Sequence, residues 1–101
     1  MARSSQFLPT VYIMASQKSG TIYTGVTSDL PKRVWDHREG VIAGFTKKYR
    51  CKQLVWFEIH STMDSAIARE KQIKAGSRSR KIRLIEEKNP DWNDLFCELN
   101  N

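Results

Sequence analysis

Cysteine is scarce in this chain: Cys51 and Cys97 are the only two. They form no CxxC motif, and one pair is not the disulfide framework of a small secreted domain. Both therefore read as reduced and partly buried. No apolar run approaches the roughly 20 residues that a membrane-spanning helix needs. Met1 to Thr10 has one basic residue and no apolar core, so it does not read as a secretion signal. Repeats and low-complexity segments are also missing. These absences exclude a membrane span and an exported disulfide scaffold, and the expectation is a cytoplasmic protein. Acidic charge is short where it would matter for a polyanion. Residues 32–83 hold fourteen Lys or Arg against five Asp or Glu, while residues 84–101 hold five acids against Lys88 alone. The net charge is +6. A basic body with an acidic end suits a surface that attracts nucleic acid, or one that is merely well solvated.

What is present is one domain's worth of sequence, 101 residues with 40% hydrophobic side chains. Residues 10–15 and 21–27 are short apolar, β-branched runs. Gln17-Lys18-Ser19-Gly20 between them is a turn in which Gly20 can take a positive φ, so a β-hairpin brings Tyr12 beside the strand of Tyr23. Thr27-Ser28-Asp29 offers helix caps and Pro31 suits a first turn, predicting a helix to about Arg38 with Leu30, Val34 and Trp35 toward the sheet. Residues 41–52 read as a loop. Leu54–Ile59 reads as a third strand. Ser61 or Thr62 caps a second helix, Gly76 ends it, and Ser77 or Ser79 caps a third that stops at Asn89-Pro90. Trp92, Leu95 and Phe96 are left for docking. The predicted class is α+β, a small three-stranded antiparallel sheet flanked by helices in the order β-β-α-β-α-α. Segments 1–9, 10–96 and 97–101 are the expected flexible start, folded domain and tail.

Four groups could carry chemistry. Arg33 and His37 are four apart and share one side of the first helix. Arginine's planar fork suits phosphate oxygens, and histidine exchanges a proton near neutral pH. The pair could equally be a solvated polar face. Tyr12 and Tyr23 could orient or deprotonate water, or simply fill the core. An ordinary tyrosine, with a pKa near 10, is a weak base unless a cation favours its phenolate. Glu70 is the one acid in the stretch Arg69–Arg83, which carries seven basic residues. It is either an i,i+4 partner for Lys74 or the single carboxylate of a Mg²⁺ that keeps most of its waters. Finally, Lys47, Lys48, Tyr49, Arg50 and Lys52, with Phe45, form a basic and aromatic loop able to contact phosphates and stack on bases, and Arg78, Arg80, Lys81 and Arg83 form a second basic patch.

In this order the motifs resemble the GIY-YIG nuclease domain, in its small standalone bacterial form, over residues 10–96. Thr10-Val11-Tyr12 and Tyr23-Thr24-Gly25 match the two tripeptides that name the family, with both tyrosines and the last glycine kept. Asp29 to His37 resembles the helix bearing the family's arginine and histidine. Ala68 to Lys74 resembles its metal-binding segment, with Glu70 as the glutamate. Glu87 to Leu95 resembles the closing motif, with Asn89 as its asparagine. Thr10, Val11 and Thr24 depart from the pattern without removing a catalytic atom. The resemblance implies a divalent ion, Mg²⁺ or Mn²⁺, held by Glu70 and the scissile phosphate. It also implies Tyr12 assisted by His37 or Tyr23 at the attacking water, and Arg33 on the developing charge. DNA is the expected substrate, with RNA open, and a protein partner is a possible source of target specificity. The alternative is a non-catalytic or partner-activated nucleic-acid-binding module.

Overall fold

The computed structural model describes residues 8–41 and 44–100. Most of the segment expected to be flexible (1–9), residues 42 and 43 of the basic loop, the Phe45 side chain and Asn101 of the tail lie outside the described residues. Strands β1 (Thr10–Ala15) and β2 (Ile22–Thr27) are followed by α1 (Leu30–Arg38), a one-turn α2 (Phe45–Tyr49) and β3 (Gln53–Ile59). Then come α3 (Met63–Ala75), α4 (Arg78–Lys88) and a 3-10 helix at Leu95–Asn100. This is the α+β architecture predicted, with one short helix inside the segment expected to be a loop.

β1 is the middle strand, antiparallel to β2 on one side and β3 on the other. All six of its residues are buried, because both sheet faces are covered. Strand alternation sends Val11, Ile13 and Ala15 into one core with Ala66, Ile73, Ile85 and Trp92, under α3 and α4. Tyr12 and Met14 go to the other face, with Leu30 and Val34 of α1 and the partly buried Leu95, Phe96 and Leu99. A bulge in the β1–β3 pairing falls between Ile13, opposite Trp56, and Met14, opposite Leu54. Val55 is the extra residue, which lets Val55 and Trp56 both join the α3/α4 core.

Local chemistry explains the element ends. Asp29 caps α1, its carboxylate accepting from the Lys32 amide at 3.3 Å, and Thr62 and Ser77 cap α3 and α4 in the same way. In the hairpin it is Ser19, not Gly20, that takes the positive φ, at 60°. Gly20 is needed for space: a Cβ there would run into Ser16 Oγ and lie 2.8 Å from Gln17 Cγ. Trp35 also departs from expectation, being 50% exposed. The α1 stripe runs Leu30, Val34, His37, and Trp35 lies roughly 140° round from Leu30 on a 3.6-residue helix.

β3 is an edge strand, and two side chains from the C-terminal segment close its edge. Asn89 Nδ2 donates to Val55 O at 3.0 Å and to Asn93 O at 2.9 Å, while Asn89 Oδ1 accepts from Asn93 N at 3.0 Å. Asp94 Oδ1 accepts from Leu54 N at 3.2 Å, and Arg38 Nη1 donates to Asp94 Oδ2 at 2.5 Å. This blunts an edge that would otherwise template pairing with another chain. Asn89 is buried, so Asn89→Ala leaves backbone groups unsatisfied. It should lower unfolding stability by about 2–3 kcal/mol, read as a lower denaturant midpoint with unchanged slope.

Candidate active site

The α1-facing side of the sheet holds three rings in mutual contact. Tyr12 is fully buried in β1, Tyr23 comes from β2 and His37 from the last turn of α1. Their centroids are 6.4 Å (Tyr12–Tyr23), 5.7 Å (Tyr12–His37) and 5.6 Å (Tyr23–His37) apart. The Tyr12 hydroxyl is 2.9 Å from His37 Nε2 in a buried hydrogen bond. With His37 protonated on Nδ1, the phenol donates to Nε2.

The glycine opposite Tyr12 makes this arrangement possible. Gly25 is the cross-strand partner of Tyr12, and the phenol ring lies against it. A Cβ at Gly25 would stand 2.5 Å from the hydroxyl oxygen and 2.6 Å from Cζ. The final glycine of Tyr23-Thr24-Gly25 is therefore the floor on which the first tyrosine rests.

Electrostatics keep both partners neutral. Burial raises the Tyr12 pKa well above the usual phenol value. Tyr23 adds to the rise, Arg33 opposes it by charge and by a side-chain hydrogen bond, and Glu70 adds a smaller push upward. Arg33 thus favours the phenolate, as a cation must, but burial wins. His37 is held below its ordinary value near 6.5, first by burial and then by Arg33, with Asp36 opposing. Its imidazole is therefore neutral at pH 7. The sign of the linkage follows: above about pH 6.5 the group is neutral folded and unfolded. Below that the unfolded chain takes up a proton that the folded chain resists. Stability should fall on acidification from pH 6.5 through the depressed folded pKa. The His37 imidazole signal in NMR should titrate below the value seen in the unfolded chain.

Glu70 sits on α3 with its side chain 15% exposed, and Lys74 Nζ lies 2.9 Å from Oε2. The same ammonium is 5.8 Å from the Tyr23 ring centroid. The i,i+4 partnership read from sequence is therefore present. Among the described residues no group of three or more His, Cys, Asp or Glu could hold a metal. A hydrated Mg²⁺ or Mn²⁺ needs fewer protein ligands, and a single carboxylate with phosphate oxygens meets its hard-oxygen preference. The donor set fits such an ion, with Glu70 as its one protein carboxylate.

The structure gathers Tyr12, Tyr23, Arg33, His37 and Glu70 but not Asn89. Asn89 is bonded along the β3 edge, while Tyr23 belongs to β2 at the opposite edge. Lys47, Lys48, Tyr49 and Arg50 are exposed on and just after α2, with Lys48 Nζ 5.4 Å from the Tyr49 ring centroid. Arg78 Nη2 donates to Ser19 O at 2.9 Å and Gly20 O at 2.7 Å, tying the hairpin to α4. Arg80 and Lys81 line a cleft between α3 and α4 with Arg69, a residue that sequence reading did not single out for function. Its signal was its place next to Glu70 on α3, on the flank turned toward α4.

Comparison with known proteins identifies the family. Residues 8–83 match the family model of the GIY-YIG catalytic domain. A UPF0213 protein of Staphylococcus saprophyticus is 42% identical over 77 residues, 76% of this chain and 93% of that protein. A UPF0213 protein of Staphylococcus aureus strain Mu3 is 40% identical over 78 residues, 77% of this chain and 94% of its own length. The solution NMR structure of a UPF0213 protein from Bacillus halodurans aligns with a TM-score of 0.54 at 29% identity, covering 85% of this chain and 90% of that one. No helix among the described residues is long and apolar enough to cross a membrane. With the family's two tyrosines, glycine, arginine, histidine and glutamate set in one fold, the chain belongs to the GIY-YIG domain family and, within it, to the UPF0213 group.

Proposed function

We propose that this chain is a nucleic-acid-binding module that takes phosphate groups at the face formed by Tyr12, Tyr23, Arg33 and His37. It hydrolyses phosphodiester bonds there only once Lys74 has left Glu70, so it is activated by its substrate or by a partner. The observation that carries this reading is the pairing of a buried Tyr12–His37 hydrogen bond with a glutamate already held by its own lysine. DNA is the substrate we favour, with RNA open to the same chemistry.

The roles follow from the geometry. Arg33 offers a guanidinium to nonbridging oxygens and stabilises charge that grows on the phosphate. Tyr12 orients the attacking water and accepts its proton while passing its own to His37 Nε2, which is neutral and able to receive it. A Mg²⁺ or Mn²⁺ bound at Glu70 would supply Lewis acidity at the phosphate and help lower the Tyr12 barrier to ionisation. Burial leaves the phenol a poor base by itself, which makes that added positive field necessary rather than decorative.

Lys74 sets the condition for activity. The lysine end of this i,i+4 pair is exposed, and such helix pairs are worth only about 0.5 kcal/mol, so displacement is easy when a ligand compensates. A unit positive charge and a divalent ion about 4 Å apart repel by about 8 kcal/mol at an effective dielectric of 20, so the ammonium and the ion compete for the carboxylate. Lys74→Met keeps the aliphatic stem and removes the charge. It should tighten Mn²⁺ binding about tenfold, some 1.4 kcal/mol, measured by paramagnetic relaxation of water without nucleic acid. Unchanged Mn²⁺ affinity would remove the competition. The rival reading is a constitutive metal-dependent endonuclease. It is favoured by the Tyr12–His37 bond, which is already formed, and it predicts cutting with Mg²⁺ at the same metal concentration in both proteins.

A further inference from the structure

α3 presents two different flanks. Glu70 and Lys74 face β2 and the tyrosines, whereas Arg69 and Gln72 face α4, and residues 72 and 74 are roughly 160° apart around the helix. The second flank opens into a cleft of about 220 Å³, lined by Arg69, Gln72, Arg80 and Lys81 over a floor of Ile73 and Leu84. Among the described residues no acidic side chain lines it.

We infer that the cleft between α3 and α4 is a phosphate-binding site, separate from the tyrosine face. Three cationic side chains converge there, and they differ in how they are held. Arg69 Nε donates to Glu58 Oε1 at 3.1 Å, and its Nη1 donates to Gln72 Oε1 at 2.6 Å. Glu58 is itself fixed by His60 Nε2 at 2.8 Å. This network locks the guanidinium in place and leaves Nη2 without a partner among the described residues. A locked fork needs no ordering when an anion arrives. Arg80 and Lys81 make no ion pair among the described residues, so their charge is uncompensated within the cleft. Glu58 offsets one positive charge of the three, which leaves a site matched to a dianion. A carboxylate would engage one fork, whereas a phosphate has oxygens for all three donors. The apolar floor excludes water beneath the anion without competing for it.

The phosphate can come from two sources: the backbone of a strand that also crosses the tyrosine face, or a terminal or free phosphate. The first source rests on the nucleic-acid reading above, and the second does not. The test uses the full chain, ¹⁵N-labelled, at constant ionic strength. Inorganic phosphate, a nucleoside 5′-monophosphate, and a short oligonucleotide with or without a 5′-phosphate are titrated in turn, with chloride as reference. The Gln72 side-chain amide, the Arg69 Nε–H and the Gly76 backbone amide report on the cleft, and the Tyr12 and Gly25 amides report on the tyrosine face.

The expected result is saturable shifts of the cleft signals with inorganic phosphate, at a midpoint independent of any shift of the Tyr12 and Gly25 amides. The double variant Arg80→Glu/Lys81→Glu should weaken that response at least tenfold with the remaining spectrum unchanged. Arg69→Lys, which keeps the charge and loses the fork, should weaken it severalfold, a change that a purely diffuse ion atmosphere would not show. Cleft shifts by both oligonucleotides assign a backbone phosphate, and shifts by the 5′-phosphorylated one alone assign a terminal phosphate. Shifts that grow linearly, that chloride reproduces or that survive the double charge reversal would overturn the site. Loss of oligonucleotide shifts at the tyrosine face with phosphate still saturating the cleft would count against the nucleic-acid reading and leave this one standing.

Discussion

Gly25→Ala should be among the most damaging single substitutions in this chain. The methyl group would stand 2.5–2.9 Å from three atoms of the Tyr12 phenol, which is fully buried in the central strand and cannot swing into solvent. Either β2 moves away from β1 or the ring tilts, and the ring is fixed by its hydrogen bond to His37. Overpacking of a tight core costs about 1–3 kcal/mol, and here the upper end applies because a buried hydrogen bond is lost as well. Chemical denaturation should show a loss of about 3 kcal/mol. The surviving folded protein should lose the Tyr12–His37 coupling, and a misplacement near 1 Å should cost any hydrolysis about 100-fold. A variant as stable as the original would mean that the ring does not rest on Gly25.

Tyr12→Phe isolates the hydroxyl from the ring. It keeps the core volume and the contact with Gly25, and it leaves His37 Nε2 without its phenol partner. If Tyr12 and His37 form the proton path, hydrolysis should fall by about 10³-fold, within the usual range for a positioned proton-transfer group. Nucleic-acid affinity should change by no more than about twofold, since in the proposed reading the phosphate contacts come from Arg33 and the basic surface. The His37 pKa should move as well, because its neutral form loses a hydrogen-bond donor. Equal losses in binding and in turnover would instead make Tyr12 a packing residue.

Much of the fold was readable because its local signals agree with one another. Asp29, Thr62 and Ser77 are caps that satisfy amides three residues on, and Pro31 and Gly76 stand where a helix starts and stops. The β1 run carries no charged residue and is apolar or aromatic from Val11 to Ala15, which fits a strand covered on both faces. The failures have physical causes. Hydrophobicity alone points Trp35 inward, whereas the helix stripe is set by Leu30, Val34 and His37. Ser19 takes the left-handed turn position because Gly20 is needed for close approach instead. The five-residue α2 has too few turns to leave a periodic signal.

The candidate site was readable in part for the same reason. Tyr12, Tyr23, Arg33, His37 and Glu70 come together because α1 covers one face of the hairpin while α3, on the other face, reaches β2, the edge strand that carries Tyr23. Asn89 does not join them. Its partners are the carbonyls of Val55 and Asn93, one of them 34 residues away, and such a tie between a helix end and a sheet edge has no sequence spacing to betray it. Arg78 looks like a phosphate-binding residue in a basic run, and its Nη2 also ties the hairpin carbonyls to α4, a contact that no sequence spacing announces. The cleft of Arg69, Arg80 and Lys81 unites two helices whose relative placement depends on the core beneath them.

The most direct test of the account follows binding and cutting of labelled linear, single-stranded and branched DNA across a Mn²⁺ titration, with the original chain, Lys74→Met and Glu70→Ala side by side. The account predicts that all three bind DNA with similar salt dependence. It predicts that Lys74→Met cuts at about tenfold lower Mn²⁺ than the original, and that Glu70→Ala does not cut at any concentration. Cutting by Glu70→Ala at the original rate, or failure of all three to bind, would contradict it.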